Sequence, residues 1–469
     1  MTATIPAAAV GASRQLAEFL ADASHHSLPE PVVAECYRAT LDWLGSALAG
    51  ALEPPARITH RVALSLGSSR EATMLGGDTA SAAAAALANG VAAHILELDD
   101  VHKGSTLHAG APVISAALAV AERERASGAA LTLAIALGYE AALRIGEAVN
   151  PSHYRFWHPT GTAATFGAAA AAGSILRLTP QQMLDALGTA GTQAAGLWEF
   201  NADGAMSKHL HPGKAAFNGI LAADLAREGF TGATRILEGD RGFFRAMAVS
   251  ADPTRLTDAL GDRWKIVENC YKLHSCCAHT HTAIDMALDI RERRGWSAAE
   301  VLTNIEHIEV ETYAAGYEIV NEMNPATPYR GKFSLAYCVA VGLLEGSVGL
   351  DQFSDDRFTS DGVADGDTAA LIQRVAVRVA DDLTTRYPAR WPTRITIVMT
   401  DGTVERGASD YPRGNPENPV STETLEQKFL TLVAPRYESD IAKRAVDAAR
   451  ALGSCDDVSR VVASLRRSA

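Results

Sequence analysis

The chain has 469 residues, 47% hydrophobic and 21% charged, with 38 glycines and 19 prolines; this is ordinary globular composition and excludes a collagenous or low-complexity chain. Its 42 basic against 55 acidic side chains leave a formal charge of −13, which argues against a nucleic-acid backbone or an anionic membrane as partner but leaves room for a small anion held by a few local cations. Length alone corresponds to two or three domains, enough to bury a large core without disulfide or metal staples.

The first residues, MTATIPAAAVGASRQLAEFLADASHH, lack a basic segment followed by an apolar run, so no secretory signal is expected. Leu16, Phe19, Leu20 and Ala23 mark a helical face, and Pro31 opens a second helix after Leu28-Pro29. Ala-rich helical segments then follow one another to about residue 265, several opening on Ser, Thr or Pro and several expected to stop at Gly, as at Gly128 and Gly229. Within them FGAAAAAGSIL (166–176) is too short to span a bilayer and reads as a tightly packed buried helix. No fixed-period repeat is present, so a solenoid is not expected.

The texture changes near residue 266. Ile305, Ile308 and Val310 alternate with charged residues, as do VAVRVADDL (375–383) and TRITIVMTDGTV (393–404), the last with an Asp401-Gly402 turn. With helices predicted over 280–295 and 332–346, this reads as an antiparallel sheet covered by helices. Helical pattern returns after the Pro-rich stretch 410–419. The expected fold is mainly α: a large all-helical domain built from both chain ends, 1–267 and 410–469, with an inserted smaller α+β domain over 268–409.

The six cysteines, Cys36, Cys270, Cys276, Cys277, Cys338 and Cys455, are too sparse for a disulfide scaffold, and a cytoplasmic setting is expected. Cys270, Cys276 and Cys277 lack zinc-type or familiar iron–sulfur spacing, so core packing is their plainer reading. Polar residues concentrate in five places: Glu97, Asp99, Asp100, His102, Lys103 and His108; His153, Trp157, His158, Thr160 and Thr162; Lys208, His209, His211 and Lys214; Lys272, His274, His279 and His281; and Tyr317, Arg330 and Lys332. A lone His beside a Pro or Gly loop is more often a satisfied polar group than a catalyst. His102 and His108 beside Asp99 and Asp100 offer ligands a divalent ion could use, but no two-His-one-carboxylate or H-E-x-x-H spacing accompanies them. No dinucleotide fingerprint, P-loop or G-x-S-x-G elbow appears, so no cofactor is expected. What remains, imidazoles with lysines and a tyrosine, suits proton transfer next to a carboxylate, which needs cations around the anion and a base within reach.

The order ELDD…LHAGAPVISAALAVAE, HP-T-GT-AA-FG, KHLHPGKAAFNGILAADLAREGFTGATRILEGDRGFF, YKLHSCC and K-FSLAY strongly resembles the MmgE/PrpD family over about residues 10–450. Its members include 2-methylcitrate dehydratase, cis-aconitate decarboxylase and iminodisuccinate epimerase. The resemblance implies a helical domain with an α+β lid, a homodimer and a small di- or tricarboxylate substrate such as 2-methylcitrate or cis-aconitate; charge and ligand spacing add the expectation of no cofactor, metal, nucleic acid or membrane. The resemblance carries His108, His158, Lys208, Lys272 and Tyr317 over as catalytic residues and Glu97 as a substrate-side carboxylate; His281, near Cys277, and Lys332, as a further cation, are the other expected substrate contacts. Two positions depart from the pattern: Val101 stands where the family often has Thr, and Cys277 where the decarboxylase branch has His. The expected activity is that of a lyase, dehydratase or decarboxylase, with an epimerase of a dicarboxylate as the alternative and a non-catalytic helical binding protein as the contrasting class.

Overall fold

The computed structural model describes residues 11–437 and 439–466. They fall into two compact units: residues 11–95, 99–269, 421–437 and 439–466 form the first, and Leu96–Leu98 with Cys270–Val420 the second. The protein is mainly α, with its one sizeable sheet in the second unit.

The first unit is a helical body whose main members are α1 (Glu30–Gly50), α2 (Ala82–His94), α3 (Gly110–Arg123), α4 (Gly128–Val149), α5 (Ala163–Ile175), α6 (Pro180–Gly191) and α7 (Ser207–Arg227). Side-chain oxygens of Ser81, Ser127 and Thr179 cap the amino ends of α2, α4 and α6. Gly229 closes α7 at φ +91°, whereas Gly128, expected as a stop, is the first residue of α4. The turn before it is made instead by Arg125 in the left-handed region, at φ +53°. Gly128 is needed for another reason: a Cβ there would lie 2.0 Å from the Leu452 carbonyl oxygen.

Two close crossings show why these helices are rich in small residues. A Cβ on Gly138 of α4 would lie 2.9 Å from the Gly167 carbonyl oxygen of α5, and one on Gly167 would lie 2.6 Å from that of Gly138. Between α2 and α7, a Cβ on Gly90 would come within 2.8 Å of the Gly213 Cα. Backbones this close exclude larger side chains and leave few voids. By length and composition α4 could cross a membrane, but 83% of its apolar stretch is buried inside the protein, and it carries a fully buried Glu140–Arg144 pair at 2.5 Å.

The second unit holds a four-stranded sheet of β1 (Ile305–Thr312), β2 (Val375–Val379), β3 (Thr393–Met399) and β4 (Val404–Ser409), in the order β2-β1-β3-β4. The sheet is mixed rather than antiparallel. β1 pairs antiparallel with β3 and parallel with β2, Ile308 opposite Val375. The long helical connection between β1 and β2 returns the chain in the same direction, which a hairpin cannot do. Ile308, Val310, Ile395 and Ile397 point into a core closed by α8 (Ala278–Arg294) and α9 (Leu335–Glu345). Gly402, at φ +83°, makes the expected turn between β3 and β4.

Candidate active site

The α2–α7 crossing assembles a group of imidazoles in the first unit. His94 lies four residues after Gly90, at the last position of α2, while Lys208, His209 and His211 lie just before Gly213, in the first turns of α7. The crossing therefore brings the His94 and His209 rings to 6.3 Å. The loop after α2 adds His108, 4.8 Å ring to ring from His94, and His158 stands 5.6 Å from His94 and 6.3 Å from His108. All of these residues and Lys208 are buried. The amino end of the 21-residue α7 adds a helix dipole of the same sign.

Hydrogen bonds orient the rings. The Nδ1 of His108 lies 2.7 Å from the Asp100 carbonyl oxygen, which can only accept, so Nδ1 carries the hydrogen and Nε2 the lone pair. Asp99 Oδ2 lies 2.8 Å from His94 Nδ1 and 3.4 Å from His108 Nδ1. Asp100 turns its own carboxylate away: Tyr139 Oη (2.5 Å), Asn269 Nδ2 (2.8 Å) and the Gly110 backbone N–H (3.0 Å) all donate to it. Despite these donors, burial pushes the Asp100 carboxyl up to about 7. The Thr160 hydroxyl oxygen accepts from the His108 backbone N–H at 3.1 Å. His158 has a different partner, its Nδ1 lying 3.0 Å from Nδ1 of His211, so one ring donates and the other accepts. Burial, and then the neighbouring His211, His94, Lys208 and His108, hold His158 well below the usual imidazole range. Burial with His94 and the lysines takes His211 down to about 4. Both rings are therefore neutral, and Lys208 is the cation beside them.

One atom each of His94, Asp99 and His108 lie within 4.8 Å of one another, a spacing an ion could use. Both Nδ1 atoms are already turned to Asp99 and to the Asp100 carbonyl, and Lys208 with His158 and His211 makes the surroundings unfavourable for another cation. His102, expected beside His108, belongs to a separate set with Glu147 and Glu268. There the cation is Lys265, whose Nζ lies 2.8 Å from Glu147 and 3.3 Å from Glu268. His153 is structural: it donates to the Met247 carbonyl (2.8 Å) and accepts from Thr162 (2.7 Å), and burial takes it down to about 4.

In the second unit, Lys272 Nζ lies 3.3 Å from Glu97 Oε2, both side chains only 2% exposed. Glu97 sits at φ +58°, a strained conformation for a residue with a Cβ. The same short segment is gripped twice more, Lys332 Nζ (2.9 Å) and Ser275 Oγ (2.8 Å) both donating to the Leu96 carbonyl. Lys332 is therefore engaged with the backbone. His281 packs its ring 5.0 Å from His274 and lies 3.4 Å from the Cys276 carbonyl, and burial lowers its proton affinity. Tyr317 is half-buried on the helix Ala314–Val320. The cysteines turn to different partners, Cys270 to Asn415 and Cys276 to Thr280, and among the described residues they form no metal-spaced group.

The first unit thus joins His108, His158 and Lys208, and the second joins Lys272 and Glu97. Sequence reasoning passed over His94 as a candidate. Its signal is the His-x4-Asp spacing from His94 to Asp99 at a helix end, masked by the Ala-rich helix before it.

The chain is 29% identical over 401 residues to the cis-aconitate decarboxylase-like protein oryM of Aspergillus oryzae, covering 81% of each chain. It is 27% identical over 470 residues to a cis-aconitate decarboxylase of Aspergillus terreus, covering 96% of this chain and 94% of the relative. The Homo sapiens cis-aconitate decarboxylase is 27% identical over 391 residues, covering 81% and 79%. Residues 14–256 match the MmgE/PrpD N-terminal domain and residues 274–453 the C-terminal domain. The chain belongs to the MmgE/PrpD family.

Proposed function

We propose that the protein is a cofactor-independent lyase acting on a small tricarboxylate, with decarboxylation of cis-aconitate as the leading reaction. The observation that carries this reading is the buried group of His108, His158 and Lys208, two imidazoles with an ammonium, joined by the amino end of a long helix. Names borne by relatives that align over four-fifths or more of the chain support the substrate class. Lys208 holds a carboxylate; the family resemblance gives the same role to Lys272, whose ammonium pairs with Glu97 in the second unit. In decarboxylation the bond to the departing carboxyl breaks and its electron pair stays on carbon, spread toward a neighbouring unsaturated carboxylate. A proton from an imidazolium then fills that carbon, giving CO2 and a carboxylate one carbon shorter. Dehydration would instead need a base for a C–H next to a carboxylate and an acid for the departing hydroxyl, which the same pair of imidazoles could serve. Tyr317 orients the substrate or gives a proton.

The test is incubation with cis-aconitate, 2-methylcitrate and iminodisuccinate in deuterated water, followed by NMR, with and without exhaustive chelation. CO2 release and a deuterium-labelled product from cis-aconitate, insensitive to chelator, is the expected result. Water loss alone would make the enzyme a dehydratase; labelled substrate of both configurations with no other product would make it an epimerase. Activity lost on chelation and restored by a metal would overturn the cofactor-independent reading. We further propose a homodimer, which light scattering at micromolar concentration tests: a sole species at the monomer mass of 49.4 kDa would refute it.

A further inference from the structure

His108 and His158 lie 6.3 Å apart and look equivalent in sequence, but their ring partners differ in kind. His108 Nδ1 faces an acceptor that cannot donate, the Asp100 carbonyl at 2.7 Å, and a carboxylate oxygen, Asp99 Oδ2, at 3.4 Å. His158 Nδ1 faces another imidazole, His211, at 3.0 Å. A proton arriving at Nε2 of His108 creates a cation beside an existing anion. A proton arriving on His158 creates one among His211, His94 and Lys208.

We infer that Asp99 is a positioning residue that assigns the mobile proton to His108, leaving His158 neutral. His94 completes the device: its Nδ1–H grips the same Asp99 oxygen at 2.8 Å, holding the carboxylate against His108 although both side chains are buried. Asp100 contributes through its backbone carbonyl, which keeps the hydrogen on Nδ1 so that the exchangeable proton is always the one at Nε2. The titratable and charged groups around His108 are His94 from α2, Asp99 and Asp100 from its own loop, Tyr139 from α4 through Asp100, and His158; Lys208 and His211 from α7 face His158, and His209 faces His94. Asp99 is the carboxylate among them that bonds an imidazole. This inference rests on the reading of His108 as a proton carrier in the proposed reaction.

The test uses the full chain with 15N-labelled histidine, the His108 signals being identified by their loss in His108→Gln. Asp99→Asn keeps the shape of the side chain and removes its charge. The midpoint of the His108 titration should fall by about 1–3 pH units, the usual effect of removing a nearby opposite charge. The limb of the pH–rate profile set by His108 should move to lower pH by the same amount. Turnover should drop about 10²–10⁴-fold with KM changed no more than about threefold, a split that a loosened fold would not produce. His94→Gln should shift the His108 titration in the same direction by less, and it carries the test should Asp99→Asn not fold. A His108 midpoint unmoved in the folded variant, or a wild-type His158 that titrates above His108, would overturn the inference. Failure of the functional reading looks different. There His108→Gln would turn over normally while Asp99→Asn still moved the His108 midpoint.

Discussion

Lys272 and Glu97 form a buried ion pair whose disruption should cost more than an exposed one, and the structure sets the scale. At 3.3 Å the gross attraction is about 5 kcal/mol for an effective dielectric constant near ~20. Most of that is offset by the loss of hydration when both ions are buried, so the pair itself need not stabilise the fold strongly. The asymmetry lies in the single variants. Lys272→Met removes the ammonium and leaves the Glu97 carboxylate 2% exposed without its cation, for which a cost of about 3–5 kcal/mol is expected. Glu97→Gln leaves the lysine in the converse position and should cost a similar amount. The double variant removes both charges and should recover most of the loss, leaving a coupling of at least ~2 kcal/mol between sites in direct contact. Denaturant unfolding of the full-length protein and its three variants, followed by tryptophan fluorescence, reads the cycle. Effects that add to within about 0.5 kcal/mol would show that the two charges do not meet and would refute the reasoning.

Lys208→Ala should raise KM and lower kcat together, by about 2–5 kcal/mol in kcat/KM if it pairs with a desolvated carboxylate. Lys214→Ala, which removes only a 2.9 Å bond to the Gln193 carbonyl, should leave turnover near wild type; equal effects in both would place Lys208 outside the site. His158→Gln should lower kcat by about 10²–10⁴-fold with the circular dichroism spectrum preserved, and wild-type turnover would remove it from the chemistry. Stability should fall as pH drops below about 6.5. His153 and His211 are lowered to about 4, His279 to about 3, and His158 well down, each mainly by burial. Their neutral forms stabilise the fold fully above the unfolded-state value, and that contribution is lost as pH falls toward the folded-state values. Asp100, raised to about 7 by burial, acts in the opposite direction between about 4 and 7. His281 is lowered likewise and Glu140 raised like Asp100, so the shifted imidazoles outnumber the shifted carboxyls and unfolding takes up protons near pH 5. A flat unfolding free energy from pH 7 to 5 would contradict the buried neutral histidines.

Local sequence determined the elements and the kinds of chemistry available. Ala-rich segments with Ser or Thr caps read as helices, alternation marks β1, β2 and β3 though not β4, and Asp401-Gly402 specifies a turn through the φ +83° that Gly402 adopts. The five polar blocks were legible because His and Lys stand out in Ala-rich surroundings, and the order of the motifs carried the family. Tertiary structure decided everything that depends on partners distant in sequence. The parallel pairing of Ile308 with Val375 is invisible in either strand alone, since alternation does not encode direction. His102 and His108, six residues apart, part company because one turns to Glu147 and Glu268, which Lys265 also binds, and the other to Asp99 and His94. Lys332 and Lys272 look alike as cations, yet one bonds the Leu96 carbonyl and the other the Glu97 carboxylate. His94 enters the imidazole group only because Gly90 and Gly213 let two backbones approach to a distance no side chain tolerates. A sequence states which side chains can hold or move a proton; which of them share one is set by helix crossings, because hydrogen bonds and charge interactions act over a few ångströms of space rather than along the chain.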